Sequence, residues 1–141
     1  MKYYALILFA LSIIFSACSK KENAKLEAFS PEAFAYNMGD SSEVDATTRV
    51  KGFVQQQENG LYKAELSFEV DIVTPSKDTV KSLVSRVVDR SKKEKMSDTS
   101  LEAQFDLGSN YKDGKYILIY RIKDMKSGES TTSTASFDLG N

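Results

Sequence analysis

Tyr62-Lys63-Ala64-Glu65-Leu66-Ser67-Phe68-Glu69-Val70-Asp71-Ile72 alternates apolar and polar side chains without interruption. In an extended chain successive side chains point to opposite faces. Tyr62, Ala64, Leu66, Phe68, Val70 and Ile72 therefore share one face, and Lys63, Glu65, Ser67, Glu69 and Asp71 share the other. A helix would scatter the same apolar residues around its surface. The stretch predicts a long strand with one buried and one wet face, the pattern of an antiparallel sheet.

Turn chemistry brackets this strand. Glu58-Asn59-Gly60 precedes it, and Asn-Gly is a favoured pair for a tight hairpin. Pro75-Ser76-Lys77-Asp78 follows it with turn-forming residues. The same period recurs in Leu101/Ala103/Phe105/Leu107, Tyr116/Leu118/Tyr120/Ile122 and Thr131/Ser133/Ala135/Phe137/Leu139. Ile117 and Ile119 give the Tyr116 segment a second partly apolar face, as in a central strand. Val80, Leu83, Val84, Val87 and Val88 fit both a helical stripe and a strand. Their β-branching favours a long strand with a bulge or bend. Thr47 to Gln56 forms another strand after an acidic loop at residues 39–45. Glu32 to Met38 reads as the first strand in preference to a helix capped at Ser30. Its heavier face, Phe34/Tyr36/Met38, is expected to point inward. About seven strands with short turns predict an all-β fold, an antiparallel two-sheet β-sandwich.

The closing stretch from Gly114 to Asn141, GKYILIYRIKDMKSGESTTSTASFDLGN, resembles the last hairpin of immunoglobulin-like bacterial domains. Tyr116 then takes the place of the corner tyrosine of such folds. The resemblance implies an immunoglobulin-like sandwich, although the Cys–Trp–Cys pattern of antibody domains is absent.

At the start of the chain, Lys2 precedes an apolar run from Tyr3 to Phe15 broken only by Ser12. A bilayer-spanning helix needs about 20 apolar residues, so this run fits a secretory signal instead. Phe15-Ser16-Ala17-Cys18 resembles the lipobox of bacterial lipoproteins, with Phe15 where leucine is usual. That resemblance implies acylation of the Cys18 sulfur, cleavage before it, and further acylation of the new amino group. Two or more acyl chains give stable attachment to membrane lipid. The expected organisation is a signal peptide at 1–17, a lipidated cysteine and flexible tether at 18–30, and a β-sandwich domain at 31–141. Ser19-Lys20-Lys21 lacks the acidic run that resembles a surface-export signal. The expected location is the cell envelope, at the outer membrane facing the periplasm, with surface exposure as the alternative.

Bulk properties narrow the function. Removal of residues 1–17 leaves 124, one domain of ordinary size. Nineteen basic and 20 acidic residues give a net charge of -1, which offers no electrostatic basis for nucleic-acid binding. Cys18 is the only cysteine, so no internal disulfide can form, and there is no histidine. A histidine base, a histidine-centred triad and histidine metal ligands are excluded. No cofactor is expected.

The remaining constellations favour structural use. Asp106, Asn110 and Asp113 surround a turn, but their spacing does not match a calcium loop. Glu65, Glu69 and Asp71 share the wet face of one strand, where acids more often solubilise than catalyse. Thr131-Thr132-Ser133-Thr134 suits a strand, with a ligand-binding or glycosylated face as the alternative. Asp78-Thr79-Val80 resembles a short O-glycosylation signal of some Bacteroidetes. Most of Phe29, Phe34, Tyr36, Phe53 and Tyr111 are expected in the core. The chain reads as a non-enzymatic envelope lipoprotein whose sandwich is a protein-binding or structural module, with an envelope protein as partner. The alternative is a carbohydrate- or small-ligand-binding module, for which Tyr62 and Tyr111 are candidates. A carboxylate-dependent hydrolase finds no supporting acid pair.

Overall fold

Eight strands and no helix make up the elements of residues 24–140, which the computed structural model describes; Cys18 and the signal segment lie outside the described residues. The strands are β1 (Glu27–Asn37), β2 (Ser41–Lys51), β3 (Gln56–Glu58), β4 (Leu61–Val73), β5 (Thr79–Lys92), β6 (Asp98–Gly108), β7 (Gly114–Asp124) and β8 (Ser130–Leu139). One sheet has the order β1-β2-β6. In the other, β4 pairs with β5 along one side and with β7 along the other, and β8 follows β7. The short β3 pairs with Leu61, Tyr62 and Lys63 of β4. All pairings are antiparallel.

The two sheets face each other in a sandwich-like arrangement. The alternation in β4 is realised through its middle: Ala64, Leu66, Phe68, Val70 and Ile72 are buried, but Tyr62 is only half-buried and Asp71, expected on the wet face, is buried too. The buried apolar residues meet Tyr116, Leu118, Tyr120 and Ile122 of β7 within the core that Val44, Val50, Leu101 and Leu107 of the smaller sheet also form. Polar ties cross the gap. The Tyr120 hydroxyl donates to the Ala46 carbonyl at 2.8 Å, and the Thr48 and Ser133 hydroxyls lie 2.9 Å apart. On the open margin, the Arg90 guanidinium of β5 donates to the Thr99 hydroxyl and the Ser100 carbonyl of β6.

Asn59 and Gly60 both have positive φ, 51° and 75°, and join β3 to β4 in a tight hairpin. Two positive φ values match the right-handed twist of the flanking strands. β3 was not expected, because Gln56, Gln57 and Glu58 are all exposed and carry no alternation. β5 is a strand with an irregularity, since Val70↔Val84 is followed by Ile72↔Val80. Ser82, at φ 53°, sits in that bulge and donates its amide to Asp71 Oδ1 at 2.8 Å.

Three boundaries differ from expectation. β2 starts at Ser41 and ends at Lys51, so Ser41–Asp45 belongs to a strand and not to an acidic loop. Val44 is its inward residue, with Glu43 and Asp45 on the other face. β1 starts at Glu27, so residues 27–30, expected in the tether, belong to the sheet, and Leu26 is already buried. Pro31 therefore lies within β1 and does not open the domain. It shares a bulge with Ser30, where β1 and β2 lose register. Proline is tolerated there because an edge strand or bulge requires no ladder donor.

The inward face of β1 is also reversed. Ala33 is buried, whereas Phe34, Tyr36 and Met38 are 56%, 51% and 60% exposed. Ala33 and Ala35 face the sandwich margin beside β8, whose inward residues there include Ser133 and Ala135. Small side chains on both strands let the sheets approach closely, which leaves no volume for three large ones.

Candidate functional site

A cleft of about 550 Å³ opens at the pole where the described chain enters the sandwich. It is lined by Ala24 of the entering chain, Gly52–Gln55 after β2, Lys95–Ser97 after β5, and Ser127 and Glu129 between β7 and β8. The last three segments are connections between strands that run to this pole, so the sandwich brings together residues remote in sequence. Phe53 and Met96 are buried and supply apolar lining. Lys95, Ser97, Ser127 and Glu129 are exposed and supply an ammonium, two hydroxyls and a carboxylate.

Hydrogen bonds hold the walls together. The Gln55 side chain clamps Met96, donating to its carbonyl and accepting from its amide, both at 2.8 Å. Asp124, only 1% exposed, accepts from the amides of Val54 at 2.7 Å and Lys126 at 2.9 Å. One buried carboxylate thus joins the loop after β2 to the β7–β8 turn. Glu129 Oε2 accepts from the Leu26 amide at 3.1 Å and ties in the entering chain. Gly52 completes the closure. Its φ is 77°, and a Cβ there would overlap the Lys25 carbonyl. Any side chain at this position would push the entering strand off the loop.

Cross-tied loops make this cleft pre-formed. Its volume lies within the range of small-molecule sites, which combine apolar lining with a few placed polar groups. A hydroxylated ligand could accept from Lys95 and donate to Glu129, with its apolar surface on Phe53 and Met96.

None of Gln55, Lys95, Asp124 and Glu129 stood out in the sequence. No local pattern brings three loops to one cleft. Tyr62 and Tyr111, the expected ligand-binding candidates, lie elsewhere. Tyr62 is half-buried on β4, and Tyr111 lines two shallow clefts at the opposite pole and packs on Tyr116. Of the five aromatics expected mostly in the core, Phe53 is buried. Phe29 is half-buried beneath Arg49 and Lys51, whose charges lie 5.4 and 5.3 Å from its ring centroid. Phe34 and Tyr36 are exposed.

Two of the three acids on β4, Glu69 and Asp71, form an ion-pair group. Arg121 of β7 bridges Glu69 and Asp71, and the Ser82 amide adds a further donor to Asp71. Burial opposes the charged form of Asp71. The bonds from Arg121 and Ser82 outweigh it and hold the carboxyl below the usual range. Among the described residues, no group of three or more acids stands close enough to hold a metal ion.

No protein-family model and no curated protein matches the chain. Solved structures give distant likenesses. A family 123 glycoside hydrolase from Clostridium perfringens is 13% identical, with a TM-score of 0.45 over 78% of this chain. The Pseudomonas fluorescens alkylpurine DNA glycosylase AlkC is 10% identical, with a TM-score of 0.44 over 84%. The putative ApaA protein of Bordetella pertussis is 13% identical, with a TM-score of 0.44 over 82% of this chain and 93% of its own. The chain spans 22% of the Clostridium enzyme and 31% of the Pseudomonas one. Similarity at this level assigns neither an activity nor a ligand.

Proposed function

We propose that this chain is a lipid-anchored, non-catalytic binding module of the bacterial envelope, and that the entry-pole cleft takes a small hydroxylated ligand of the carbohydrate class. The observation that carries the reading is the cleft itself: pre-formed, concave, part apolar and rimmed by exposed polar groups. An immunoglobulin-like topology is part of the proposal. Support for it comes from the strand orders β1-β2-β6 and β5-β4-β7-β8, and from the Tyr116 hydroxyl, which donates to the Lys112 carbonyl at 2.7 Å as a corner tyrosine does. In such sandwiches the loops at one pole are the common ligand-binding surface.

The anchor is proposed on Cys18 and its flanking motif. Six residues from Cys18 to Ala24 reach at most about 22 Å when fully extended. An acylated Cys18 would therefore hold the cleft pole close to the lipid, at the outer membrane facing the periplasm. Mass spectrometry of the membrane fraction should find the mature chain starting at an acylated Cys18, and an unmodified thiol there would remove the anchor from the proposal.

Titration of the isotope-labelled protein with a panel of mono- and oligosaccharides tests the cleft. Amide shifts are expected in residues 52–55, 95–97 and 127–129, and Lys95→Ala should weaken binding about tenfold, the worth of one charge-assisted hydrogen bond. Shifts confined to other surfaces, or none at millimolar sugar, would exclude the carbohydrate reading.

A further inference from the structure

The outer face of the smaller sheet repeats one layout in two halves: aromatic rings on β1, charged side chains on β2 and acids on β6. Strand register sets the rows. Near the entry pole, Phe29 lies opposite Arg49, and Lys51 stands between Glu27 and Asp98. There the chain supplies its own cations. Arg49 and Lys51 stand over the Phe29 ring, and they pair with Asp98 and Glu27. Ring, cation and carboxylate complete one another.

Toward the β1–β2 turn the rings and acids recur without the cations. Phe34 lies opposite Asp45, and Tyr36 lies opposite Glu43, which lies opposite Asp106 in turn. Phe34, Tyr36 and the nearby Met38 are three of the six large hydrophobics exposed among the described residues. Glu32 and Glu102 complete the set of acids on this half. None of the five has an ion-pair partner among the described residues. Residues 32–48 and 98–111 contain no lysine or arginine. Like charges opposite one another destabilise a sheet, and a cationic occupant would relieve that repulsion. The strand edge itself is closed, since β8 runs alongside β1, so the face is the surface on offer.

The geometry points to a protein-docking surface: this half of the face takes arginine or lysine side chains of a partner protein, in the places that Arg49 and Lys51 fill on the other half. Each incoming cation would sit on the Phe34 or Tyr36 ring and reach a carboxylate of β2. Arginine suits the site better than lysine, because its planar guanidinium stacks on a ring while its donors fork to a carboxylate. Met38 offers apolar contact to the stems of those side chains. Nucleic acid and anionic lipid would be repelled. The surface stands apart from the cleft, so failure of either leaves the other standing.

The test uses the full mature protein, isotope-labelled, with a hexa-arginine peptide as the probe. Saturable amide shifts are expected in residues 32–38 and 43–47. Phe34→Ala with Tyr36→Ala should weaken binding about tenfold. Glu43→Gln with Asp45→Asn should weaken it about tenfold at low salt and flatten its salt dependence. All four side chains lie on the outer face, so both variants should fold. Asp89→Asn, on β5 of the larger sheet, should leave binding unchanged. Shifts centred elsewhere, or full binding by the aromatic variant, would overturn the proposal. Spermine displacing the peptide at equal charge would also overturn it, by making the face a small-cation surface. So would a concentration-dependent dimer lost in the aromatic variant, which would put a second copy there, or a neutral oligosaccharide that shifts the same amides.

Discussion

Tyr116 combines two roles in one side chain. Its ring stacks on Phe137 with centroids 5.3 Å apart, and its hydroxyl reaches the Lys112 carbonyl. Burial, with the nearby Tyr111 and Asp113, pushes its phenol up, so the proton that makes this bond stays in place at any ordinary pH. Tyr116→Phe keeps the ring and removes the bond. Urea unfolding should show a loss of about 1 kcal/mol with an unchanged slope. The position was legible beforehand, because a tyrosine near the start of a strand of period two stands in its own local pattern. Asp124 was not: its role depends on Val54, which lies 70 residues away in sequence.

β1 shows where alternation stops being informative. The period says that Ala33/Ala35 and Phe34/Tyr36 lie on opposite faces, but hydrophobicity chooses the wrong one. Packing against β8 reverses the choice, because the margin admits only small side chains. Two substitutions separate these influences. Ala33→Phe should destabilise by about 1–3 kcal/mol through overpacking. Phe34→Lys, although it removes a large apolar group, should change stability by no more than about 0.5 kcal/mol. Thermal or urea unfolding of both variants checks the ordering, and a larger loss in Phe34→Lys would restore the inward face. β4 and β7 raise no such ambiguity, since the apolar face of each is also much the larger and both run through the centre of their sheet.

For the molecule as a whole, stability rests on one core and a few ties between strands, with no disulfide available. The group of Glu69, Asp71, Ser82 and Arg121 joins β4, β5 and β7 and sets part of the acid response. Asp71 is held below its ordinary value of about 3.9. Its contribution is therefore fully present above that pH and is lost as the pH falls through the lowered folded value. Asp71→Asn should be less stable than the parent by about 1–2 kcal/mol near neutrality. The gap should narrow below about pH 4, and equilibrium unfolding across pH 2–7 measures it. A gap that stays constant to pH 2 would show that the carboxylate's charge is not what matters.

Alternation at period two is written in neighbouring residues, so it gave the long strands, most of their inward faces, the Asn59–Gly60 hairpin and the irregularity in β5. The all-β class follows from these alone. Which face of β1 turns inward depends on what stands opposite it across the sandwich. The cleft depends on Gly52, Gln55, Lys95, Met96 and Glu129, which meet only because the strands deliver their loops to one pole. Their spacing in the chain carries no trace of that meeting, since contacts between distant residues come from the packing of whole sheets.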